Sequence, residues 1–309
     1  MPRAVRFERY GGVEVLDVVD VEAPTPAEGQ LLVRVRAAGI NPFEAKLRRG
    51  VFEGQIPVSF PAAQGNDVAG VVEALGPGVS AFKPGDEVLG TTVRRGSQAE
   101  LALVSAEIAL RRPPAVSWEV AGGLWTVATT AHAAVGAVAP GPGDVVVVAG
   151  AGGGVGGLAA QLARHHGARV IGVAGERSQA WLRSRGITPV VYGEGLEQRL
   201  RGVASELGGA PAALIDTAGH GYVELAVRLG IAPARIDTIV DFEAAARHGA
   251  RTDGGGESRG RAAVAEIVEL LAAGALELPI AATFPLERVR DAYTLLETGH
   301  PPGKIVLVP

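Results

Sequence analysis

Five apolar residues, Val145-Val146-Val147-Val148-Ala149, run into Gly150-Ala151-Gly152-Gly153-Gly154-Val155-Gly156. Gly153 and Gly156 have the spacing of the second and third glycines of a dinucleotide fingerprint, with Ala151 at the first. That chemistry needs a backbone that turns sharply, lets a pyrophosphate approach with no Cβ in the way, and presents the N–H groups of a helix start to the anion. Glycine spacing alone is a weak signal in so glycine-rich a tract. The context strengthens it: a buried strand before, a helix after, and a second strand ending near Ala174, one βαβ unit later. That second strand, Arg169 to Gly175, ends without the acid that binds a ribose 2′-hydroxyl. Arg177 and Arg183 follow and can neutralise a 2′-phosphate, although Glu176 would repel it if turned inward. The pattern therefore predicts NADP(H) as cofactor.

The elements that must carry this turn change character along the chain. The first third reads as a β-rich, loop-rich, barrel-like module, with strands expected over Val13–Val21, Leu31–Ala37 and Val68–Leu75 and Pro or Gly every few residues. A helix is expected from Trp118 to Val138. Strand and helix signals then alternate: Val145–Ala149, Val155–His166, Arg169–Val173, Ser178–Arg185, Val190–Tyr192, Leu196–Leu207 and Ala212–Asp216. That rhythm predicts a parallel sheet with crossover helices. A helix at Ala262–Ala273, a strand near Ala281–Phe284, a helix at Leu286–Thr298 and a strand at Lys304–Val308 close the chain, and Arg251–Arg261 reads as a solvated loop.

Composition narrows the remaining choices. The 309 residues are 47% hydrophobic and 20% charged, with net charge −4 and no cysteine. That length suffices for two domains with cores of their own. The absence of Cys excludes disulfides, thiolate nucleophiles and Cys-ligated metals. The mild acidity speaks against nucleic acid or a membrane surface as partner. The start of the chain has no signal-peptide core, so a cytoplasmic location is expected. Val145 to Ala160 is uncharged, but six of its sixteen residues are glycine and it is short for a membrane span.

Further stretches carry a resemblance. Ala37-Ala38-Gly39-Ile40-Asn41-Pro42-Phe43-Glu44-Ala45-Lys46-Leu47-Arg48-Arg49-Gly50 is followed by Gly65-Asn66-Asp67-Val68-Ala69-Gly70, Pro84-Gly85-Asp86-Glu87-Val88 and Ala99-Glu100-Leu101. The glycine turn with Gln161 comes next, and the chain closes with Phe284-Pro285-Leu286-Glu287 and Gly303-Lys304-Ile305-Val306-Leu307. In this order the chain resembles the medium-chain dehydrogenase/reductase superfamily, in its zinc-independent, quinone oxidoreductase-like branch. The resemblance implies an α/β protein: a GroES-like catalytic domain over residues 1–122, completed by 270–309, and a Rossmann NADP(H)-binding domain over 123–269. Zinc-dependent relatives place Cys, His and Cys where Asn41, Asn66 and about Thr126 stand, and none of these three supplies a thiolate or an imidazole. His165 and His166 read as helix-surface residues, and His132, His220, His248 and His300 are scattered. No metal is expected.

The resemblance also implies hydride transfer from NADPH to a quinone or to the activated C=C of an α,β-unsaturated carbonyl, whose own conjugation carries the charge. It places Asn41 and Lys46 beside the nicotinamide ribose as catalytic candidates and Thr130 near the carboxamide. Gly150, Gly153, Gly154, Val155 and Gly156 would hold the pyrophosphate, with Gly175 and Arg177 at the ribose. Tyr192 would cover the adenine, and Ala218, Val240 and Phe242 would complete the cofactor set, Phe242 also walling the substrate pocket. Glu44, one methylene longer than the family's usual Asp, reads as structural. Lys304 reads as either a ligand contact or a strand anchor. A homodimer is implied, with Ala232–Val240 as the candidate sheet edge. Two other readings remain: a narrow biosynthetic tailoring reductase, and a non-catalytic NADPH-binding sensor.

Overall fold

The computed structural model describes residues 1–92, 95–253, 260–299 and 301–309; residues 254–259 of the expected surface loop, and His300, lie outside the described residues. The described chain divides into two compact units. One holds Met1–Thr126, Val264–Ala275 and Pro279–Pro309; the other holds Val127–Ala263 and Leu276–Leu278.

The first unit begins with β1 (Arg3–Phe7), β2 (Asp17–Asp20), β3 (Gln30–Ile40), helix α1 (Pro42–Arg48), β4 (Ala62–Ala63) and β5 (Asp67–Leu75). It continues with β6 (Glu87–Thr91), β7 (Leu101–Ser105), β8 (Leu110–Arg111) and α2 (Trp118–Gly122). α3 (Trp125–Val138) follows. β9 (Val145–Ala149), α4 (Gly154–His165), β10 (Arg169–Ala174), α5 (Gln179–Ser184), β11 (Thr188–Val191), α6 (Leu196–Glu206), β12 (Pro211–Asp216), α7 (Tyr222–Arg228), β13 (Ile236–Thr238) and α8 (Phe242–His248) make up the second unit. After α9 (Gly260–Ala272), the elements β14 (Ile280–Pro285), α10 (Val289–Gly299) and β15 (Lys304–Val308) return to the first.

In the first unit a small sheet, β2-β1-β4, accompanies a larger one ordered β14-β15-β3-β5-β6-β8, with β7 also paired to β3. β3 shows why it sits centrally. Arg34 and Arg36 alternate outward with buried Val33 and Val35, and from Ala37 to Ile40 both faces are buried. The small residues there admit α2: a Cβ on Gly122 would lie 2.5 Å from the Ala37 carbonyl oxygen. That close approach, with the helix capped at Gly123, is why the expected helix Trp118–Val138 is in fact two helices. The expected strand Val13–Val21 is likewise corrected, to a 3-10 turn over Val13–Val15 followed by the short β2. Val15 and Leu16 are both buried, which successive residues on a strand facing solvent do not allow.

The second unit is a five-stranded parallel sheet in the order β11-β10-β9-β12-β13. β9 is buried along its whole length, the pattern of a strand covered on both faces. The chain leaves β9 to build outward through β10, then returns to β9's other side with β12, so a topological switch lies beside the C-terminal end of β9.

Candidate functional site

At that switch the glycine turn joins β9 to α4. Three of its glycines are tightly packed, Gly152 among them, since a Cβ there would lie 2.3 Å from Ser178 Oγ. A Cβ on Gly156 would lie 2.3 Å from the Gly150 oxygen, and one on Gly150, whose φ is +75°, would lie 2.4 Å from Thr217 Oγ1. Gly153 differs, because a Cβ there meets only the Gly150 oxygen, at 3.4 Å. Its close contacts leave room, so what a side chain would obstruct is the approach to the helix. Gly153 is the N-cap of α4 and supplies no side-chain acceptor, so the first-turn N–H groups at Gly154, Val155 and Gly156 have no cap. An uncapped twelve-residue helix opening at a sheet's C-terminal edge is a cradle for an anion.

The neighbouring strand ends are held in place. Buried Asp216, at the end of β12, accepts the N–H groups of Ala218 (2.9 Å) and Gly219 (2.8 Å) and the hydroxyl of Thr238 (2.8 Å). Thr238 Oγ1 in turn accepts the N–H groups of Val240 (3.3 Å) and Asp241 (3.0 Å). One carboxylate thus fixes the loops after β12 and β13, although burial raises its pKa. Beyond β10, Gly175 lies under the Tyr192 ring, since a Cβ on it would meet Tyr192 Cε1 at 3.5 Å. Tyr192 is 61% exposed, and Arg177 is also exposed. Gly150, Gly153, Gly154, Val155, Gly156, Gly175, Arg177, Tyr192, Ala218, Val240 and Phe242 therefore gather on the loops and helix starts at one edge of one sheet. Thr130 lies within α3 and is half-buried.

The first unit carries a different feature, a buried polar network. Asn41 is the N-cap of α1, with Pro42 in the first turn. Glu44 reaches back to accept the Asn41 backbone N–H (2.9 Å) and side-chain amide (3.2 Å). The Glu44 carboxylate also accepts from the Asn66 N–H (3.1 Å), Gln98 Nε2 (3.4 Å) and the Tyr293 hydroxyl (3.0 Å). Asp67 accepts from Asn41 Nδ2 (3.1 Å) and from the N–H (3.0 Å) and hydroxyl of Thr126. Lys304, 4% exposed, closes the network. Its ammonium donates to Asn41 Oδ1 (2.6 Å) and the Ile40 carbonyl (2.9 Å) and stands 3.6 Å from Asp67.

Burial, and next the Asp67 carboxylate, push Glu44 up to about 7, against the pull of its donors. Burial lowers Lys304, with Asp67 and Glu44 opposing. Burial, then Glu44, raises Tyr293 well above its ordinary value. A consequence follows for stability. Between the ordinary Glu value near 4.3 and about 7, the folded chain retains a proton that the unfolded chain has lost. Raising the pH across that window therefore removes stability. Wild type is expected to lose about 3 kcal/mol relative to Glu44→Gln between about pH 4.5 and pH 7. Denaturant unfolding of both proteins at several pH values checks this, and a difference that stays flat contradicts it.

The two lysines raised by the sequence fall in different places. Lys46 lies on the exposed face of α1, outside the network, whereas Lys304 is inside it. Asn41 has its amide committed to Glu44, Asp67 and Lys304, so its geometry is that of a group holding others in place. The structural role read for Glu44 agrees with its five donors, and His165 and His166 are exposed on their helix end. Asp67, Gln98, Tyr293, Asp216 and Thr238 were not singled out by sequence reasoning. Asp67 stood within the resemblance motif and offered a signal; the others offered none. Asn41, Asn66 and Thr126 do not form a zinc donor set, and among the described residues no three or more His, Cys, Asp or Glu are placed to hold a metal ion.

The alcohol dehydrogenase GroES-like domain family matches residues 27–173, and the zinc-binding dehydrogenase family matches residues 210–307. Quinone oxidoreductase from Homo sapiens is 38% identical over 175 residues, 56% of this chain and 53% of that protein, so the chain matches about half the length of this curated relative. Among solved structures, the quinone oxidoreductase from Coxiella burnetii superposes with a TM-score of 0.85 at 26% identity, covering 100% of this chain and 99% of that one. A mycobacterial protein complexed with NADPH superposes with a TM-score of 0.84 at 27% identity, covering 100% of both chains.

Proposed function

Because the chain belongs to the medium-chain dehydrogenase/reductase superfamily, in its quinone oxidoreductase-like branch, we propose that it is an NADPH-dependent oxidoreductase acting on a quinone or on the activated double bond of an α,β-unsaturated carbonyl. The observation that carries this reading is the uncapped start of α4 at the topological switch, where side chains are excluded at Gly150 and Gly156. The residues present fit NADPH. The N–H groups of Gly154, Val155 and Gly156 would meet its pyrophosphate, Arg177 its 2′-phosphate and Tyr192 its adenine. Gly153, Gly175, Thr130, Ala218, Val240 and Phe242 complete the surround. When bound, NADPH supplies the hydride.

The protein's own residues orient and stabilise. The Lys304–Asn41–Asp67–Glu44 network fixes the start of α1, and Lys46 on that helix is left to meet ribose hydroxyls or an oxygen on which negative charge develops. Asn41 is thus a positioning residue in this account, and Lys46 the contacting one. A homodimer joined at the β13 edge and a cytoplasmic location belong to the same reading.

Substituting Arg177 by Ala is expected to reduce the preference for NADPH over NADH about tenfold, the effect of one charge-assisted bond. Calorimetric titration of both cofactors into both proteins checks it. The reaction itself is tested by NADPH oxidation in the presence of menadione and of an aryl vinyl ketone, with NADH as control. Stoichiometric formation of reduced acceptor is the expected result, and its failure with both acceptors overturns the assignment.

A further inference from the structure

A cavity of about 770 Å³ opens in the first unit, beside the buried network. Asn66 joins the two, since it lines the cavity and its N–H is bonded to Glu44. Two guanidinium groups, Arg6 and Arg95, also line this cavity, together with Ser59, Thr92 and small apolar residues, and among the described residues no carboxylate does. That composition stands out in a chain whose net charge is −4.

Among the described residues, neither arginine is neutralised by an acid. Arg6 is half-buried on β1, and its pKa is lowered by burial with no carboxylate offsetting the shift. Asp17 stands opposite it in the β1–β2 ladder but gives its carboxylate to Arg290, at 2.5 Å. Arg95 makes one bond, from Nη2 to the Pro57 carbonyl at 3.2 Å, and pairs with no acid among the described residues. Its φ of +62° is a left-handed conformation unusual for a non-glycine residue. Elsewhere in the molecule arginines are routinely spent on acids, as in Arg3–Glu100, Arg48–Glu297 and Arg228–Glu197. A partly desolvated cation without a counter-charge is costly unless a ligand supplies one.

We propose that this cavity binds the acceptor, and that the acceptor carries an oxyanion group, carboxylate or phosphate, held between Arg6 and Arg95. The inference rests on the reading of the chain as an NADPH-dependent reductase and narrows its substrate class from neutral quinones and enones to acidic ones. Asn66 and the hydroxyl of Ser59 add neutral hydrogen-bonding groups around the anion, whereas the Thr92 hydroxyl is given to the Gly65 carbonyl at 3.2 Å, and the prolines and alanines give apolar wall for a conjugated body.

The test compares benzoylacrylate, an enone bearing a carboxylate, with its methyl ester, using wild type, Arg6→Gln and Arg95→Gln. Wild type is expected to favour the acid over the ester in kcat/KM by about tenfold or more, and each variant to reduce that ratio by about tenfold. A wild-type ratio at or below one, or a ratio unmoved in both variants, overturns the inference, and turnover of the ester then leaves the reductase assignment standing. If no acceptor is reduced, the assignment fails and binding alone decides. Calorimetry with benzoate and with phenyl phosphate should then show binding to wild type that weakens about tenfold in each variant, and the tighter of the two probes identifies the anion. Absence of binding by both probes overturns the site.

Discussion

Replacing Gly153 by valine is expected to weaken NADPH binding about 100-fold while leaving the fold intact. The separation of the two effects is the informative part. Gly150 and Gly156 have backbone or side-chain oxygen within 2.4 Å of any added Cβ, so their replacement damages the turn itself. At Gly153 the nearest contact is 3.4 Å, and its φ of −87° and ψ of 174° suit a β-branched residue. The valine would instead stand in front of the first-turn N–H groups of α4. Losing that approach removes about 2.7 kcal/mol of pyrophosphate binding, which is the 100-fold. Calorimetric titration of NADPH, together with a thermal melt of the unliganded variant, checks both halves. Undiminished binding would mean that the pyrophosphate does not sit on this turn.

Lys304→Met is expected to destabilise the protein by about 3–5 kcal/mol, the usual consequence of removing one partner from a buried ionic cluster. The methionine replaces the lysine stem as far as Cε but leaves the Asn41 amide oxygen and the Ile40 carbonyl without the ammonium donor, and Asp67 without its nearest cation. The start of α1 loses its anchor with them, so turnover should fall even at temperatures where the variant is folded. Adding Asp67→Asn should recover part of the lost stability, because it removes the uncompensated charge. Denaturant unfolding of the single and double variants measures this. A single-variant loss below about 1 kcal/mol, the range of an exposed ion pair, would contradict the account.

The two units differ in how far their sequence revealed them. The parallel sheet was legible because strands buried on both faces are written as uninterrupted apolar runs, Val145–Ala149 above all, and because βα turns carry glycine where the chain reverses. The strand-end positions of the glycine turn and of Gly175, Tyr192, Ala218 and Val240 were legible for the same reason, since each follows a strand of that sheet. Errors arose where tertiary contact overrode local pattern. The residues over Val13–Val21 alternate well enough for a strand, yet Val15 and Leu16 are both drawn into the core and the chain turns. The Trp118–Val138 periodicity runs through Gly122 and Gly123, where contact with β3 ends the first helix.

The buried network was the least legible feature. Lys304 and Asn41 are 263 positions apart, and Tyr293 and Glu44 are 249 apart. Local patterning carries no information about such pairings. The resemblance motif directed attention to Lys46, which is exposed, while Lys304, the lysine with the buried partners, was left open between a ligand contact and a strand anchor. Arg6 and Arg95 were invisible for a related reason. Nothing in a sequence distinguishes an arginine paired with an acid from one left unpaired in a cavity.

The central claim is that this chain transfers hydride from NADPH to a conjugated acceptor. The most direct test is a single-turnover reduction of menadione, or of the ester of benzoylacrylate, by NADPH carrying deuterium on one or the other face of nicotinamide C4. The account predicts that acceptor reduction and NADPH oxidation proceed together, and that deuterium on one face slows both while deuterium on the other does not. Bound NADPH that never reduces either acceptor, or oxidation indifferent to the label on both faces, would contradict it.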